Sequence, residues 1–562
     1  MKAYESVPSP DLTDTDPGIA AGSGATAVRS PATGLLGSSV VLTSTFWSWA
    51  GPALITLFGG FLRFYRLSQP NAVVFDETYY VPDANSILHH GVELNHVKNV
   101  NQLLLQGNPN IFQKGYTAAV CSPHKVPCLT GEVVAHPPLG KIMMALGQWT
   151  FGLTPFGWRF TVAVIGTVSI LMVARIARRM TGSTLLGCVA GLLMALDGLE
   201  LVLSRTSILD IILMFWILAA FGLLVIDRDQ TRARLEAAFA AAGPDDDAGP
   251  HLGIRWLRVG AGLCLGAACA TKWNGIWYVA AFAGLALAWD LGARRAAGFR
   301  DWLTAGLRSE TRWLPVWFGL APLVVYVASW TGWFATSTGY DRNWGPQHGN
   351  HTPIWSTIDS WYQYNHWMLQ FGLGLSTPQS YKSNPLGWMI LARPISFYWC
   401  SQPSCGVRTG SAAEVLAIGT PLIWWAGSLA LLFCLNWWII GLVGDLVFDR
   451  KPKRDWRAGA VLLGVAAGWL PWIWYAWHDN RTEFYYYAIA FEPFLIIAIT
   501  VCLGLIIGPA RAAPGRRAAG AVAAGGYLVA VLLNLAYLYP ILTAQVIPYS
   551  AWLSRMWFRR WI

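Results

Sequence analysis

The sequence predicts an all-α integral membrane protein, and three features of its composition lead to that prediction. Of its 562 residues, 54% are hydrophobic and only 12% are charged, a balance typical of chains that live in lipid. It contains 32 Trp, whose ring favours the boundary between headgroups and hydrocarbon. The net charge of +10 is typical of membrane proteins, whose cytoplasmic loops carry an excess of Lys and Arg. A soluble or nucleic-acid-binding protein is therefore excluded.

Eleven segments are apolar enough to be membrane-spanning helices. Residues 1–46 come before them and are rich in Pro, Gly, Ser, Thr and Asp, which predicts a disordered tail rather than a signal peptide. A span needs about 20 mainly apolar residues. The candidates are 47–65, 158–174, 184–203, 208–227, 257–271, 275–290, 314–331, 417–445, 459–477, 487–508 and 519–540.

Basic residues indicate the orientation of these spans. If the tail is cytoplasmic, most Lys and Arg lie inside, in short loops such as 175–179 and 450–457, where the positive-inside rule is strongest. Two long loops, 66–157 and 332–416, and a C-terminal segment, 541–562, then lie outside the plasma membrane. We expect the functional residues in these outer loops.

Four of the nine Cys fall in the outer loops as two close pairs. Cys121 and Cys128 lie in the first loop, and Cys400 and Cys405 lie in the second. Outside the membrane such pairs predict two local disulfides. A zinc site is the alternative, but these spacings differ from the usual zinc patterns. We expect no metal.

An acidic pair, Asp76 and Glu77, follows the first span in VVFDETYY. A carboxylate at the membrane surface can act as a general base. The alternative is a helix-capping acid that interacts with backbone N–H groups and the helix dipole.

Basic residues near the end of the first loop are candidates for contacts with phosphate. Lys141 follows His136 in AHPPLGK, at the start of a short helix predicted to lie on the membrane surface, and Arg159 follows in GWRF. A cation there can bind a phosphate. The alternative is snorkelling towards lipid headgroups.

Further charges lie at the ends of later spans. Arg205 and Asp210 belong to a short turn, DGLELVLSRTSILD, and ionisable residues this close to hydrocarbon are either functional or paired with each other. In ATKWNG, Lys272 lies beside Trp273 and Asn274 between two short spans, so that Asp210 or a lipid phosphate is its predicted partner.

Arg481 precedes the aromatic run that begins at Tyr485, and a guanidinium and phenols can share one anionic group. The Walker A, GxGxxG, HExxH and GxSxG motifs are absent from the sequence. Nucleotide hydrolysis, dehydrogenase and hydrolase functions therefore lack support.

In their order along the chain, these motifs resemble the protein O-mannosyltransferases, in particular the bacterial, actinobacterial form. The resemblance covers roughly 47–540 and rests on VVFDETYY, AHPPLGK, GWRF, DGLELVLSRTSILD, ATKWNG, GWF..TGYDRNW and FYYYAIAFEPF. It implies a GT-C membrane fold with a catalytic domain over 47–540. It also implies transfer of mannose from a polyprenyl phosphate to Ser or Thr of exported proteins, without a cofactor or catalytic metal.

The resemblance also implies site residues. The acidic pair of the family falls on Asp76, the expected base, and Glu77, and its arginine falls on Arg159. With Lys272 and Arg481, Arg159 forms the predicted phosphate clamp. The predicted substrate contacts are Arg205, Asp210, His136, Lys141, Trp273, Asn274 and Tyr485.

Alternative functions remain at this point. One is a GT-C transferase that acts on a lipid or cell-wall glycan. Another is a transporter of a lipid-linked sugar, but transporters often contain internal repeats, and no repeat is evident here. The expected partners are the lipid-linked donor, Ser/Thr-rich exported proteins, membrane lipids and possible secretion machinery, with no nucleic acid.

Overall fold

Helices make up most of the computed structural model, which describes residues 45–112, 114–115, 128–242, 247–447, 455–479 and 481–562. The helices of the first half are α1 (Thr45–Phe64), α2 (Glu77–His90), α3 (Val100–Leu105), α4 (Leu139–Phe151), α5 (Pro155–Thr181), α6 (Thr184–Ala195), α7 (Gly198–Leu203), α8 (Leu209–Ala242), α9 (Trp256–Thr271) and α10 (Gly275–Ala297).

The second half continues with α11 (Thr304–Thr311), a π-helical segment (Val316–Leu320), α12 (Ala321–Ser329), α13 (Thr331–Ala335), α14 (Trp344–Gln347), α15 (Pro353–Gly374), α16 (Pro421–Val447), α17 (Trp456–His478), α18 (Glu492–Ile507), α19 (Pro514–Leu542) and α20 (Tyr549–Leu553). Short 3-10 helices occupy Pro385–Ile390, Pro403–Cys405, Tyr485–Ala490 and Arg559–Trp561.

Each of the eleven predicted spans contains a helix, but not all of these helices are long. Within the described residues, six helices are long and apolar enough to cross a membrane, and a bent pair at 304–329 makes a seventh if it is counted as one span. Helices α6, α9 and α18 are apolar but shorter. The prediction of membrane-spanning helices is confirmed, whereas several of the predicted boundaries are wrong.

The predicted continuous span 184–203 is broken after Ala195. Asp197 ends the first piece and caps the second, because its Oδ1 accepts hydrogen bonds from the N–H groups of Leu199 (2.8 Å) and Glu200 (3.3 Å). Its Oδ2 accepts further bonds from Thr420 N and Trp424 Nε1, both at 3.0 Å. A buried carboxylate with four donors therefore sets the break.

The predicted span 487–508 begins at Glu492 instead, because the preceding aromatic run is a 3-10 helix. Helix α18 is buried along nearly its whole length, including Phe494, Leu495 and Ile496. A helix that is apolar on every side belongs inside a bundle. It packs against α16, α17, α19 and α6 and forms the centre of the fold.

Helix α9 approaches the bent segment closely through two glycines. A Cβ added to Gly262 would collide with the carbonyl oxygen of Trp317, and one added to Gly266 would collide with that of Pro322. Small residues four apart allow such close approach of helix backbones in membranes. Helix α9 is thereby fixed, and Lys272 follows its last residue.

The loop regions carry small antiparallel sheets that the all-α prediction does not include. In the first loop region (66–157), β1 (Lys114–Gly115) pairs with β2 (Cys128–Leu129). In the second loop region (332–416), β3 (Ile395–Cys400) pairs with β4 (Ser411–Ala417), which also pairs with β5 (Ile547–Pro548) of the C-terminal segment. The sheet order β3-β4-β5 leaves β3 at an edge.

The C-terminal segment packs on the second loop region. The indole N–H of Trp561 donates to the carbonyl of Leu391 (2.8 Å), and the indole N–H of Trp552 donates to Glu414 Oε2 (2.6 Å). These bonds and β5 join residues 541–562 to the part of the chain that lies beside the site.

Candidate active site

Asp76 immediately precedes α2, and its carboxylate has few hydrogen-bond partners. Its side chain makes no capping bond to the helix backbone. Within the described residues, its one hydrogen bond comes from the hydroxyl of Tyr486, at 3.4 Å from Oδ2. The geometry does not support the capping alternative, and a half-buried carboxylate oxygen remains available to a substrate.

Packing of Phe75 orients Asp76. Phe75 has φ +49°, a left-handed conformation that is strained for a bulky side chain. Its ring stacks on Phe397 at 4.5 Å and meets Tyr486 edge-on at 5.7 Å. Phe397 is the bulge residue of β3, where the register shifts between Ser396 and Tyr398. Contacts with Phe397 of the edge strand β3 and with Tyr486 thus hold the backbone at Phe75 in place.

The environment of Asp76 suits a base that works near neutral pH. Burial raises the pKa of Asp76 to about 7, and Asp210 raises it further, while Lys272 and the Tyr486 hydroxyl oppose that rise. A general base is most effective when its pKa lies near the working pH.

Glu77 is bonded on every side, unlike its neighbour. It is fully buried and forms a bidentate pair with Arg159, at 2.8 Å to Nε and 2.9 Å to Nη2. It also accepts bonds from the N–H groups of Val74 (2.9 Å) and Ser207 (3.0 Å). With these four donors it joins the loop before α2 to α5 and to the turn before α8. The geometry assigns Glu77 a positioning role, instead of the predicted catalytic one.

Arg159 has no donor left for a phosphate. Its remaining N–H groups bind the carbonyls of Leu67 (3.3 Å), Pro70 (2.9 Å) and Ala72 (2.8 Å), so all five donors of the guanidinium are used. It is only 1% exposed. The predicted phosphate contact is corrected: Arg159 holds the loop that presents Asp76.

Arg205 supports the end of α1. Its guanidinium donates to the carbonyls of Leu62 (3.2 Å), Arg63 (2.6 Å), Tyr65 (2.8 Å) and Arg66 (3.1 Å). These carbonyls lie in the last turn of α1 and just after it, where a cation also complements the helix dipole. Its Nε has no partner among the described residues, so its predicted role as a substrate contact stays a prediction.

Lys141 is buried within the first loop region. It is 1% exposed, and its ammonium lies 2.5 Å from Glu93 Oε1 and 3.5 Å from Asp83 Oδ2. Two carboxylates already compensate its charge, so neither a substrate phosphate nor a lipid headgroup is required. Both the predicted phosphate contact and the snorkelling alternative are corrected.

Lys272 and Asp210 form a buried ion pair beside Asp76. The Lys272 ammonium lies 2.9 and 3.0 Å from the two oxygens of Asp210, as the sequence analysis predicts for one of its two candidate partners. It also lies 4.2 Å above the ring of Tyr487. The pair joins the end of α9 to the start of α8.

Arg481 keeps donors available. Its Nε binds the carbonyl of Gly372 at 2.7 Å and its Nη1 that of Thr482 at 3.3 Å, whereas Nη2 has no partner among the described residues. The guanidinium lies over the ring of Trp472 at 5.1 Å and near Tyr487 at 6.0 Å. Lys272 and Arg481 therefore both lie near the ring of Tyr487, and Arg481 has a donor free to bind an anion.

His136 lies half-buried near these cations. Burial, Lys272, Lys141 and Arg481 lower its pKa well below the usual value, so the imidazole is neutral at pH 7. Its ring lies 6.3 Å from Tyr80 and has no hydrogen-bond partner in the described part of the chain. A neutral imidazole here can donate or accept a hydrogen bond.

The two residues after Lys272 have different surroundings. The indole N–H of Trp273 donates to the hydroxyl of Tyr326 (2.9 Å), and that hydroxyl donates to Asn365 Oδ1 (2.5 Å). Trp273 therefore belongs to a chain of hydrogen bonds that joins α12 to α15, and it does not face the site. Asn274 Oδ1 is buried and has no partner among the described residues. Of the two predicted contacts, only Asn274 offers an unused polar atom.

Tyr485 points away from the site. It is 1% exposed, its hydroxyl accepts a bond from Gly419 N at 3.1 Å, and its ring packs edge-on against Trp424. The next two residues, Tyr486 and Tyr487, face the site. The predicted contact at Tyr485 is corrected, and its neighbours take its place.

The cysteine predictions have different outcomes. Cys400 and Cys405 are joined by a disulfide, with their Cα atoms 6.3 Å apart. Cys121 lies outside the described residues, so its predicted bond to Cys128 stays a prediction. The described residues contain no group of three or more metal-binding side chains.

Sequence reasoning alone missed several residues near the site. Tyr80 lies one helical turn after Asp76, a spacing that gives a usable signal. Glu483, two residues after Arg481, is 1% exposed, and burial raises its pKa to about 8. Glu93 and Phe397 gave no signal, because their partners are remote in sequence.

Two family descriptions match the chain. The description "Dolichyl-phosphate-mannose-protein mannosyltransferase" matches residues 126–244, and "C-terminal four TMM region of protein-O-mannosyltransferase" matches residues 357–561. Both regions include residues of the site, Arg159 and Asp210 in the first and Arg481 in the second.

Curated relatives match over most of the chain. The polyprenol-phosphate-mannose--protein mannosyltransferase of Mycolicibacterium smegmatis is 35% identical over 91% of this chain and 93% of its own length. The proteins of the same name from Mycobacterium tuberculosis and Corynebacterium glutamicum are 36% and 32% identical over 91% and 92% of this chain and 92% and 93% of their own lengths.

A solved structure has the same fold. The Saccharomyces cerevisiae Pmt1-Pmt2 complex bound to the sugar donor superposes with a TM-score of 0.67, at 14% identity and with 93% coverage of both chains. The predicted GT-C membrane fold and the predicted enzyme class are confirmed. From the family descriptions and the curated relatives, this chain belongs to the protein O-mannosyltransferase family of membrane glycosyltransferases.

Proposed function

We propose that this chain transfers mannose from a polyprenyl phosphate to Ser or Thr hydroxyls of exported proteins, at the outer face of the plasma membrane. The observation that carries the proposal is a half-buried Asp76 with one hydrogen bond, beside an ion pair and a cation with unused donors. The names of the curated relatives support the donor and the protein acceptor. The proposal places the amino terminus in the cytoplasm and requires no cofactor or metal.

Asp76 acts as the general base. A sugar linked to phosphate is already activated, so the acceptor hydroxyl needs only orientation and removal of its proton as the new bond forms. The hydroxyl oxygen attacks the anomeric carbon, its proton moves to Asp76, and the bond to the phosphate oxygen breaks. Attack opposite the leaving phosphate inverts the configuration at that carbon.

Arg481 stabilises the departing phosphate. The phosphodiester of the donor has one negative charge, and the phosphate released gains a second. The unused Nη2 of Arg481 meets that charge, and Lys272 adds a weaker field because Asp210 already compensates it. Asn274 Oδ1 and neutral His136 are the polar atoms available to hydroxyl groups of the sugar.

Glu77 and Arg159 contribute by fixing the loop that carries Asp76. A saturated buried pair costs several kcal/mol to disturb, about 3–5 when one partner is removed. This rigidity keeps the base in place, which matters because a small misplacement reduces the rate strongly.

Purified protein, polyprenyl-phosphate mannose and a Ser/Thr-rich peptide provide the test. We expect mannosylated peptide with an α linkage, identified by mass spectrometry and by cleavage with a linkage-specific mannosidase. The matched control is Asp247→Asn, which changes an exposed carboxylate of the same chemistry and should transfer normally. Transfer to a lipid or glycan acceptor but not to peptide would contradict the proposed acceptor, and donor movement across vesicles without transfer would contradict catalysis.

A further inference from the structure

The edge of β3 beside Asp76 has unused backbone groups. In the sheet order β3-β4-β5, β3 pairs only with β4. Across the described residues, its backbone N–H groups make no hydrogen bond to main chain outside that ladder. Alternate residues of any edge strand direct their N–H and C=O groups away from the paired neighbour.

This edge also lacks the usual protection. Its sequence, Ile-Ser-Phe-Tyr-Trp-Cys, contains no charge and no proline, the residues that normally prevent an exposed edge from pairing. Ile395 and Cys400 are buried, at 1% and 3% exposure, whereas Trp399 is 42% exposed. Unpaired N–H and C=O groups along an edge strand are a template for pairing with another chain, so the unused groups of β3 suit a ligand that supplies hydrogen bonds along a strand.

The edge leads directly to the base. Phe397 of β3 stacks on Phe75, the residue before Asp76, at 4.5 Å. The same Phe397 meets Tyr486 at 5.5 Å, and the hydroxyl of Tyr486 contacts Asp76. One aromatic group thus joins the edge strand to both the carboxylate and the residue that donates to it.

We propose that the acceptor polypeptide binds as an added β-strand along the edge of β3, which presents one Ser or Thr hydroxyl to Asp76. This inference rests on the proposed function. Main-chain pairing suits a substrate that is extended and varies in sequence, because the hydrogen bonds involve no side chain. The bulge at Phe397 interrupts the ladder, which restricts pairing to a short segment. The disulfide at Cys400 holds one end of the strand.

A scan of N-methylated acceptor peptides tests this pairing. Each peptide has one acceptor Thr and a single N-methyl group at one backbone position on either side of it. Only alternate N–H groups of an added strand face β3, so KM should rise about three- to tenfold at alternate positions and stay unchanged between them. A scan without that alternation would overturn the proposal.

Two protein variants accompany the scan. Trp399→Lys places a charge beside the edge, loses the ring contact with Trp552 (4.5 Å), and should raise KM for the unmethylated peptide while donor affinity stays unchanged. Trp399→Leu loses the same ring contact without adding a charge and should leave both values unchanged. If the unmethylated peptide is not mannosylated by the unaltered enzyme, the proposed function fails. If it is mannosylated and Trp399→Lys has a normal KM, only the strand pairing fails.

Discussion

Two charged clusters lie along the packed helices α8 and α9, and they are built differently. Asp210 pairs with Lys272 at the site, and at the far end, about 25 Å away, Asp227 in the middle of α8 pairs with Arg255 at the start of α9. At the far end, the carboxylates of Asp227, Asp290 and Glu310 interlock with Arg255, Arg258 and Arg294. At the site, Asp76 and Arg481 keep oxygen and nitrogen atoms that have no partner in the part of the chain that the structure describes.

This difference separates charges that hold the fold from charges available for chemistry. At the far end, the two atoms without partners among the described residues, Arg258 Nη1 and Arg294 Nε, are fully buried, whereas Asp76 and Arg481 at the site are only half-buried. A buried ion-pair cluster holds the fold but cannot reach a substrate. The same distinction divides the adjacent residues Asp76 and Glu77, since within the described residues the half-buried Asp76 has one hydrogen bond and the fully buried Glu77 has four. Unused atoms together with exposure, rather than the residue type, indicate the role.

Asp76→Asn should have the largest effect on the rate of mannose transfer. The amide retains the size of the side chain but cannot accept the proton, so transfer per folded molecule should fall by about 10²–10⁴. Rates measured at saturating donor, together with a donor-binding titration and a melting curve, separate catalysis from binding and folding. A folded variant with normal transfer would show that Asp76 is not the base.

The far-end cluster should affect stability alone. Asp227→Asn leaves Arg255 and Arg258 without their shared carboxylate and should lower the free energy of unfolding by about 3–5 kcal/mol. Asp247→Asn, which removes an exposed pair with Arg300, should cost at most about 1 kcal/mol. Chemical denaturation in detergent measures both, and transfer by the folded fraction should be normal in each.

A change of pH should have a smaller effect on the rate of mannose transfer. Burial raises the pKa of Asp76 to about 7, so the base is protonated below that pH. The rate should therefore fall about tenfold for each pH unit below 7 and level off above it. Burial also raises the pKa of Asp83, which pairs with Lys141. If Asp76 causes the fall in rate below pH 7, Asp83→Asn should show the same fall. Loss of the fall in Asp83→Asn would assign it to Asp83 instead.

Local patterns in the sequence predict the spans and many residues around the site, but not which charges pair. The apolar lengths predict the helices, and the motif VVFDETYY indicates Asp76. They cannot show that Arg159 uses all five donors, because its acceptors are carbonyls of the loop at 67–72 and Glu77. The same limit applies to Lys141, since Glu93 has no local pattern that marks it as a partner.

The edge strand β3 is another feature that the sequence alone does not predict. Its position beside Asp76 depends on the contact between Phe75 and Phe397, which are more than three hundred residues apart in sequence. The alternating apolar pattern of ISFYWC is too short to distinguish a strand from part of a surface loop. The sequence therefore predicts a second loop region but not its role in the site.

Two matched arginine variants test whether buried, paired charges hold the fold while half-buried charges with unused donors bind substrate. Lysine keeps the charge but loses the planar fork of donors. We expect Arg159→Lys to lower the melting temperature and leave donor affinity of the folded fraction unchanged. We expect Arg481→Lys to weaken donor affinity about tenfold, the equivalent of about one charge-assisted hydrogen bond, with a smaller fall in melting temperature than Arg159→Lys, because Arg481 makes only two bonds to backbone carbonyls. Weaker donor binding in folded Arg159→Lys, together with normal binding in Arg481→Lys, would show that Arg159, not Arg481, binds the donor phosphate.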